Sequence, residues 1–153
     1  MDLVLLRHGE AERNAASDSL RRLTARGETE AAASGAELAK WLRSPPVVVS
    51  SPYLRARKTA DIVAAELAAG AVREIPGITP DDNVRQAVLA IAGHCVPGTT
   101  LVVVTHMPLI GNLLSLLVDG DLRHAAGVRT AGGALLEGEF VAPGLMRVRQ
   151  ALA

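Results

Sequence analysis

His8 and His106 each stand at the end of an apolar run: His8 follows Leu3-Val4-Leu5-Leu6-Arg7, and His106 follows Leu101-Val102-Val103-Val104-Thr105. A neutral imidazole can act as nucleophile, base or hydrogen-bond donor. Two of them at the ends of neighbouring parallel strands would lie close enough to act on one group. Arg7 precedes His8, and an Arg–His pair buried at a strand end is costly unless it has a partner. Gly9 follows, and glycine lets the backbone turn and a ligand come close. Arg55 lies in Ser51-Pro52-Tyr53-Leu54-Arg55-Ala56, in the first turn of an expected helix. A cation there opposes the helix dipole. An anion bound at the same helix N-terminus would offset that cost. Arg55 is therefore better explained by an anionic ligand than by helix stability, and arginine suits bidentate binding of phosphate. Arg57 and Lys58 read as solvated surface charges.

Placing these residues together needs alternating strands and helices. Asp2–Leu6 is a short apolar strand. Thr24 is a plausible N-cap for a helix to about Arg43, with Ala32, Leu38, Ala39 and Leu42 on its buried side. Val47–Val49 is a buried strand. Ser51 as N-cap with Pro52 as first helical residue starts a helix that runs to about Ala69 and closes at Gly70. Val72–Ile75 is a third strand, and Pro76–Asn83 a Pro/Gly/Asp-rich loop. Val84–Ala92 is helical, Leu101–Thr105 is the most hydrophobic strand, and Pro108–Val118 is an amphipathic helix. Ala134–Phe140 and Leu145–Ala151 are end strands joined through Ala142-Pro143-Gly144. Repeated strand–helix–strand units predict an α/β fold. It is a three-layer α/β/α sandwich with a mostly parallel central sheet and helices on both faces. The short last connection lets the end strands join antiparallel. Ligands of such sheets bind at the carboxyl ends of the strands. There stand Arg7-His8-Gly9, Ser50-Ser51 and Thr105-His106.

The 153 residues suit one domain, taken as 1–153. Apolar residues make up 49% and charged residues 21%, a globular composition and not a disordered one. The 16 Lys+Arg balance 16 Asp+Glu, so no basic excess favours general nucleic-acid binding. All the basic residues but Lys40 and Lys58 are arginine. That suits bidentate phosphate binding, although a GC-rich coding sequence produces the same enrichment. Aromatic residues are scarce, so stacking platforms for bases or sugars are not expected. Cys95 is the one cysteine and has no partner for a disulfide or a structural zinc site. Met1-Asp2 leads straight into the first apolar run without a basic segment, and no apolar stretch is long enough to span a membrane. The expected location is the cytoplasm, with neither nucleic acid nor membrane as partner.

Leu6-Arg7-His8-Gly9-Glu10-Ala11-Glu12, Ser51-Pro52-Tyr53-Leu54-Arg55-Ala56 with Thr59-Ala60, and Val104-Thr105-His106 occur in the order and spacing of the histidine phosphatase superfamily, the phosphoglycerate mutase-like group. The chain resembles that family from Asp2 to about Val118. Its short length and the stretch Asn14-Ala15-Ala16-Ser17-Asp18-Ser19-Leu20-Arg21-Arg22-Leu23-Thr24 look most like the SixA-type phosphohistidine phosphatases. The resemblance implies a hydrolase in which His8 is the nucleophile and forms a phosphohistidine intermediate. Arg7, Arg55 and His106 would hold the phosphoryl oxygens. Asn14 and Arg21 match positions that add phosphate contacts in some relatives. No metal or cofactor is implied. Partners would be inorganic phosphate or a similar oxyanion in the site and a phosphorylated protein, a phosphorelay or phosphotransferase carrier.

The proton donor departs from the wider family, whose phosphomonoesterases and mutases commonly place a Glu or Asp in a loop after the second helix. Here that region is Ile75-Pro76-Gly77-Ile78-Thr79-Pro80-Asp81-Asp82-Asn83. Asp81 and Asp82 are candidates, but adjacent aspartates in a Pro-rich loop are commonly turn formers. Asp18 and Glu10 are reserve candidates. An alkoxide leaving group needs an acid, whereas phosphohistidine can leave as neutral imidazole if its ring is already protonated. A weak or missing acid therefore favours phosphohistidine over phosphate esters. So does the short Gly70–Thr100 stretch, which leaves little chain for a lid. Two alternatives stay open: a small-molecule phosphomonoesterase using Asp81 or Asp82, and a non-catalytic module binding phosphohistidine or another anion. His94, Cys95 and His124 read as structural or exposed residues, and Asp119-Gly120-Asp121 as a turn.

Overall fold

The computed structural model describes residues 1–152. Six strands form one sheet: β1 (Asp2–Arg7), β2 (Val47–Ser50), β3 (Arg73–Glu74), β4 (Leu101–Thr105), β5 (Gly133–Glu137) and β6 (Arg147–Leu152). Their order across the sheet is β3-β2-β4-β1-β5-β6. The first four are parallel, and β5 and β6 join antiparallel. The helices are α1 (Ala25–Trp41), α2 (Leu54–Glu66), α3 (Val84–Ala92) and α4 (Leu109–Asp119). This is the expected layered α/β architecture with a mixed sheet.

Strand alternation sorts the core into two sides. Val4, Leu6, Val48, Val102, Val104 and Leu135 face α1 and α2, where Leu38, Ala56, Ala60 and Val63 meet them. Leu3, Leu5, Val49, Leu101, Val103 and Leu136 face α3 and α4, where Val88, Ile91, Leu113 and Leu116 meet them. β1 and β4 are covered on both sides, which explains their unbroken apolar runs.

Thr24 caps α1 by accepting a hydrogen bond from Gly27 N–H at 3.0 Å, an interaction typically worth about 1 kcal/mol. The buried stripe of α1 differs from the expected one. It is Gly27, Ala31, Ser34, Gly35 and Leu38, while Ala39 is exposed and Ala32 and Leu42 are half-buried. The cause is close packing of α1 on α2. A Cβ on Gly35 would lie 2.8 Å from Glu66 Cβ, so small residues, not large ones, mark this face.

The start of α2 is also corrected. The helix begins at Leu54 with Tyr53 in the cap position, not with Ser51 as cap and Pro52 inside. Ser51 Oγ does accept from a backbone N–H, that of Tyr53 at 3.1 Å, but as part of the turn ahead of the helix. The helix ends at Glu66 and not near Ala69, and Ala68 takes a left-handed φ of 51° just beyond it. The third strand is two residues long. β5 and β6 sit within one to three residues of their expected bounds. No helix among the described residues is long and apolar enough to cross a membrane.

Candidate active site

The site is assembled by strand register. β1 and β4 pair in parallel with Arg7 opposite Thr105, so the next residue of each strand, His8 and His106, emerges at the same level. His8 N–H donates to Thr105 O at 3.1 Å, and the two imidazole centroids are 5.1 Å apart. Beside them, Ser51 leaves β2 with its N–H donating to Val104 O. The three polar strand ends therefore do converge on one edge.

Gly9 makes the turn after His8. Its N–H donates to Thr59 Oγ1 at 3.0 Å, and Thr59 Oγ1 donates to Arg55 O at 2.8 Å, tying the first loop to α2. A Cβ at Gly9 would stand 2.4 Å from Gly27 O, so this backbone approach excludes any larger residue without a shift.

His8 is held in a defined tautomer. Nδ1 lies 2.7 Å from Gly9 O, a carbonyl that can only accept, so Nδ1 carries the proton. Nε2 is then the bare nitrogen, and Arg55 Nε donates to it at 3.3 Å. Burial pushes the His8 pKa down to about 4, and the Arg55, Arg7 and Arg21 guanidiniums add to the fall against the opposing pull of the Gly9 carbonyl. At neutral pH the ring is uncharged. Burial, the neighbouring His8 and Arg55 push His106 down to about 2.

His8 drops from an ordinary 6.5 to about 4 on folding, so between those values the unfolded chain binds more protons. Its contribution to stability is complete above about pH 6.5 and is lost as pH falls toward 4. Between pH 7 and 5 the loss from His8 is on the order of 2 kcal/mol, with His106 acting in the same direction. Two measurements check this: the denaturant midpoint falls over that range, and the His8 ring resonances show no titration between pH 5.5 and 8.

Arg55 is 3% exposed, although it is the second residue of a helix. Its three nitrogens are all used. Nε donates to His8, Nη1 donates to Asp18 O at 2.6 Å, and Nη2 donates to Asp18 Oδ2 at 3.1 Å. The guanidinium also lies 5.2 Å over the Tyr53 ring. The anion expected at this helix start is thus supplied by Asp18. Arg7 Nη1 donates to Val128 O at 2.8 Å, while its buried Nε has no hydrogen-bond partner. His106 is fully buried. Its Nε2 lies 2.8 Å from Ser51 Oγ, its Nδ1 has no partner, and its ring meets Tyr53 edge-on at 5.1 Å. Two unpaired polar atoms, one on Arg7 and one on His106, are what a phosphoryl-binding site would leave for its ligand.

The remaining candidates divide. Arg21 reaches the rim, with Nη1 donating to Asp18 Oδ1 at 3.1 Å and Nε donating to Glu12 O at 2.7 Å. Asn14 is exposed on the loop between β1 and a 3-10 turn at Asp18–Leu20. Glu10 turns to Arg26, 3.4 Å away. Asp82 Oδ2 accepts from Thr79 N–H at 2.7 Å and Thr79 Oγ1 at 2.6 Å, closing the loop in which it lies. Asp81 is exposed on that loop. Burial raises the Asp18 carboxyl, but hydrogen bonds from Arg21 and Arg55 outweigh it, and the net shift is downward. Asp18 is therefore an anion at neutral pH. His94 Nδ1 lies 2.9 Å from Ala90 O, His124 pairs with Asp119, and Gly120 ends α4 at a φ of 81°.

The sequence puts Ser51 at the ligand-binding edge without a partner there, and gives no part in the site to Tyr53 or the Val128 carbonyl. Tyr53 lies inside the Ser-Pro-Tyr-Leu-Arg segment and could have been found there. The Val128 carbonyl left no signal, because any residue supplies one.

A buried neutral imidazole ringed by guanidinium donors, at the carboxyl edge of a mostly parallel sheet, defines a phosphoryl-handling α/β enzyme class. The chain belongs to the histidine phosphatase superfamily (branch 1), whose model matches residues 3–79. It is 33% identical over 127 residues to the phosphohistidine phosphatase SixA of Escherichia coli strain K12, covering 79% of this chain and 76% of that protein. It is 32% identical over 126 residues to the SixA homolog of Haemophilus influenzae, covering 76% and 77%. The solved structure of the protein histidine phosphatase SixA complexed with tungstate superposes with a TM-score of 0.86 at 27% identity, over 100% of this chain and 97% of that one.

Proposed function

We propose that this enzyme hydrolyses phosphohistidine on a protein, in two steps through His8. In the first, His8 Nε2 attacks phosphorus, the substrate's P–N bond breaks, and the leaving ring departs as neutral imidazole with its proton on the other nitrogen. In the second, water attacks phosphorus, the P–Nε2 bond breaks, orthophosphate departs and His8 is regenerated. Arg7, Arg55 and His106 hold the equatorial oxygens, where the charge of the transferring group is spread. Asn14 and Arg21 stand as further phosphate contacts in this reading. No step requires a metal or cofactor. In this reading the enzyme works in the cytoplasm on a phosphorelay or phosphotransferase carrier.

One observation carries this reading: the bare Nε2 of His8, oriented by the Gly9 carbonyl and touched by Arg55. The choice of substrate is supported by the state of the possible acids. Asp18 is anionic, Asp82 is spent on Thr79 and Glu10 on Arg26. None of these three is poised to protonate an alkoxide, and a protonated imidazole does not need it. The names of the curated relatives point the same way.

The test compares kcat/KM on a histidine-phosphorylated carrier protein with kcat/KM on a sugar phosphate. A preference for the carrier of about a hundredfold or more is expected, the scale on which general acids contribute. A preference for the sugar phosphate would overturn the proposal in favour of a phosphomonoesterase using Asp81.

A further inference from the structure

We propose that Asp18 is an internal stand-in for the substrate's phosphoryl group, holding one limb of the Arg55 fork at rest and giving it up when the phosphoryl arrives. The inference rests on the phosphatase reading above. Nε and Nη2 form one edge of the guanidinium, the edge that grips planar or tetrahedral oxyanions. Along it, Nε faces His8 Nε2 at 3.3 Å and Nη2 faces Asp18 Oδ2 at 3.1 Å. A phosphorus bonded to His8 Nε2 would carry its oxygens in front of that same edge. The carboxylate oxygen now stands there.

Burial supports displacement. The Arg55 side chain is 4% exposed and the Asp18 side chain on it is 55% exposed, so the cover is one residue thick. His8 is 5% exposed, and Arg55, which donates to its Nε2, is the residue that Asp18 covers. The cover is built to move. The turn at Asp18–Leu20 contains no buried residue. Its internal bonds are local, namely Leu20 N–H to Ser17 O, Arg21 N–H to Asp18 O and the Ser17–Ser19 hydroxyl pair, and Arg55 Nη1, donating to Asp18 O at 2.6 Å, is a hinge that stays in place while the carboxylate swings off Nη2. A segment without apolar anchorage opens at low cost. Asp18 Oδ1 also keeps Arg21 Nη1 at 3.1 Å, so the departing carboxylate retains a cation. A cleft of about 390 Å³ lined by Arg13, Ala15, Ser17, Asp18 and Arg21 adjoins the turn and gives it room to shift. After hydrolysis, the returning carboxylate competes with orthophosphate for Nη2. Asp18 is then a positioning residue that sets product affinity.

The experiment titrates orthophosphate into the full chain by calorimetry, in wild type, Asp18→Asn and Arg55→Ala. Asparagine keeps the shape and a hydrogen-bond acceptor but loses the charge. Asp18→Asn should bind orthophosphate roughly three- to tenfold more tightly, the scale of a partly exposed ion pair plus the relieved repulsion. Equal or weaker binding would overturn the inference. A purely structural Asp18 would lower the thermal midpoint without tightening phosphate. In wild type, hydrogen exchange at amides 17–21 should quicken when orthophosphate is added, and slowing there would overturn the inference even if the variant fails to fold. If Arg55→Ala binds orthophosphate as wild type does, the phosphoryl site is misplaced and the functional proposal falls instead.

Discussion

Replacing His8 with alanine should abolish turnover, with a loss on the order of 10⁴–10⁶ in kcat, the range seen when a covalent nucleophile is removed. No other group can inherit the role. His106 is fully buried, and its Nε2 already faces Ser51 Oγ. Its basicity is pushed lower still than that of His8. Asp18 is occupied by two arginines. The chemical signature is as informative as the rate. Wild type mixed with a histidine-phosphorylated carrier and quenched in alkali should carry acid-labile phosphate on His8, and the variant should carry none. Retention of full activity by His8→Ala would remove the covalent mechanism. Orthophosphate should still bind the variant, since both arginines remain.

Arg55→Ala should cost about 10²–10³ in kcat, by comparison with the loss of a single preorganised donor to a developing anion. Three effects add there. The donor to the transferring group disappears. The Nε hydrogen bond that fixes the His8 ring is lost, leaving only the Gly9 carbonyl to orient it. The Asp18 backbone and carboxylate lose their cation, which frees the 3-10 turn. Arg55→Lys should recover little, because an ammonium cannot reach His8 and Asp18 from one planar edge. Steady-state rates on the carrier, with bound orthophosphate measured alongside, separate lost chemistry from lost binding. A lysine variant with near wild-type kcat would show that charge, and not the fork, is what matters.

Much of this was legible in the residues. Leu3–Leu6 and Leu101–Val104 are apolar without alternation because helices cover both faces of β1 and β4. Their common level follows from parallel pairing, so the approach of His8 to His106 could be inferred before any coordinates. Arg55 declared itself by standing where a helix resists a cation. The anion it faces at rest was harder to anticipate, because Asp18 comes from a turn with no periodic pattern. The stripe of α1 was misplaced for a different reason. Hydrophobicity marks buried faces only where there is space for large side chains, and Gly27 and Gly35 are buried because there is none. Ser51 was assigned to a helix cap, a local role, when its oxygen also serves His106 across the sheet edge.

The anchor of Arg7 has a consequence for how the enzyme comes into being. Arg7 Nη1 is fixed by the carbonyl of Val128, Arg7 N–H by that of Gly132, and the His8 carbonyl by Ala131 N–H. His8 and its guanidinium neighbour are thus braced by residues that lie far later in the chain. A nascent polypeptide still lacking Val128 can have the His8 N–H held by Thr105 O, but neither the Arg7 guanidinium nor the His8 carbonyl has its partner. The geometry around His8 is complete only once the chain has been made through Gly132.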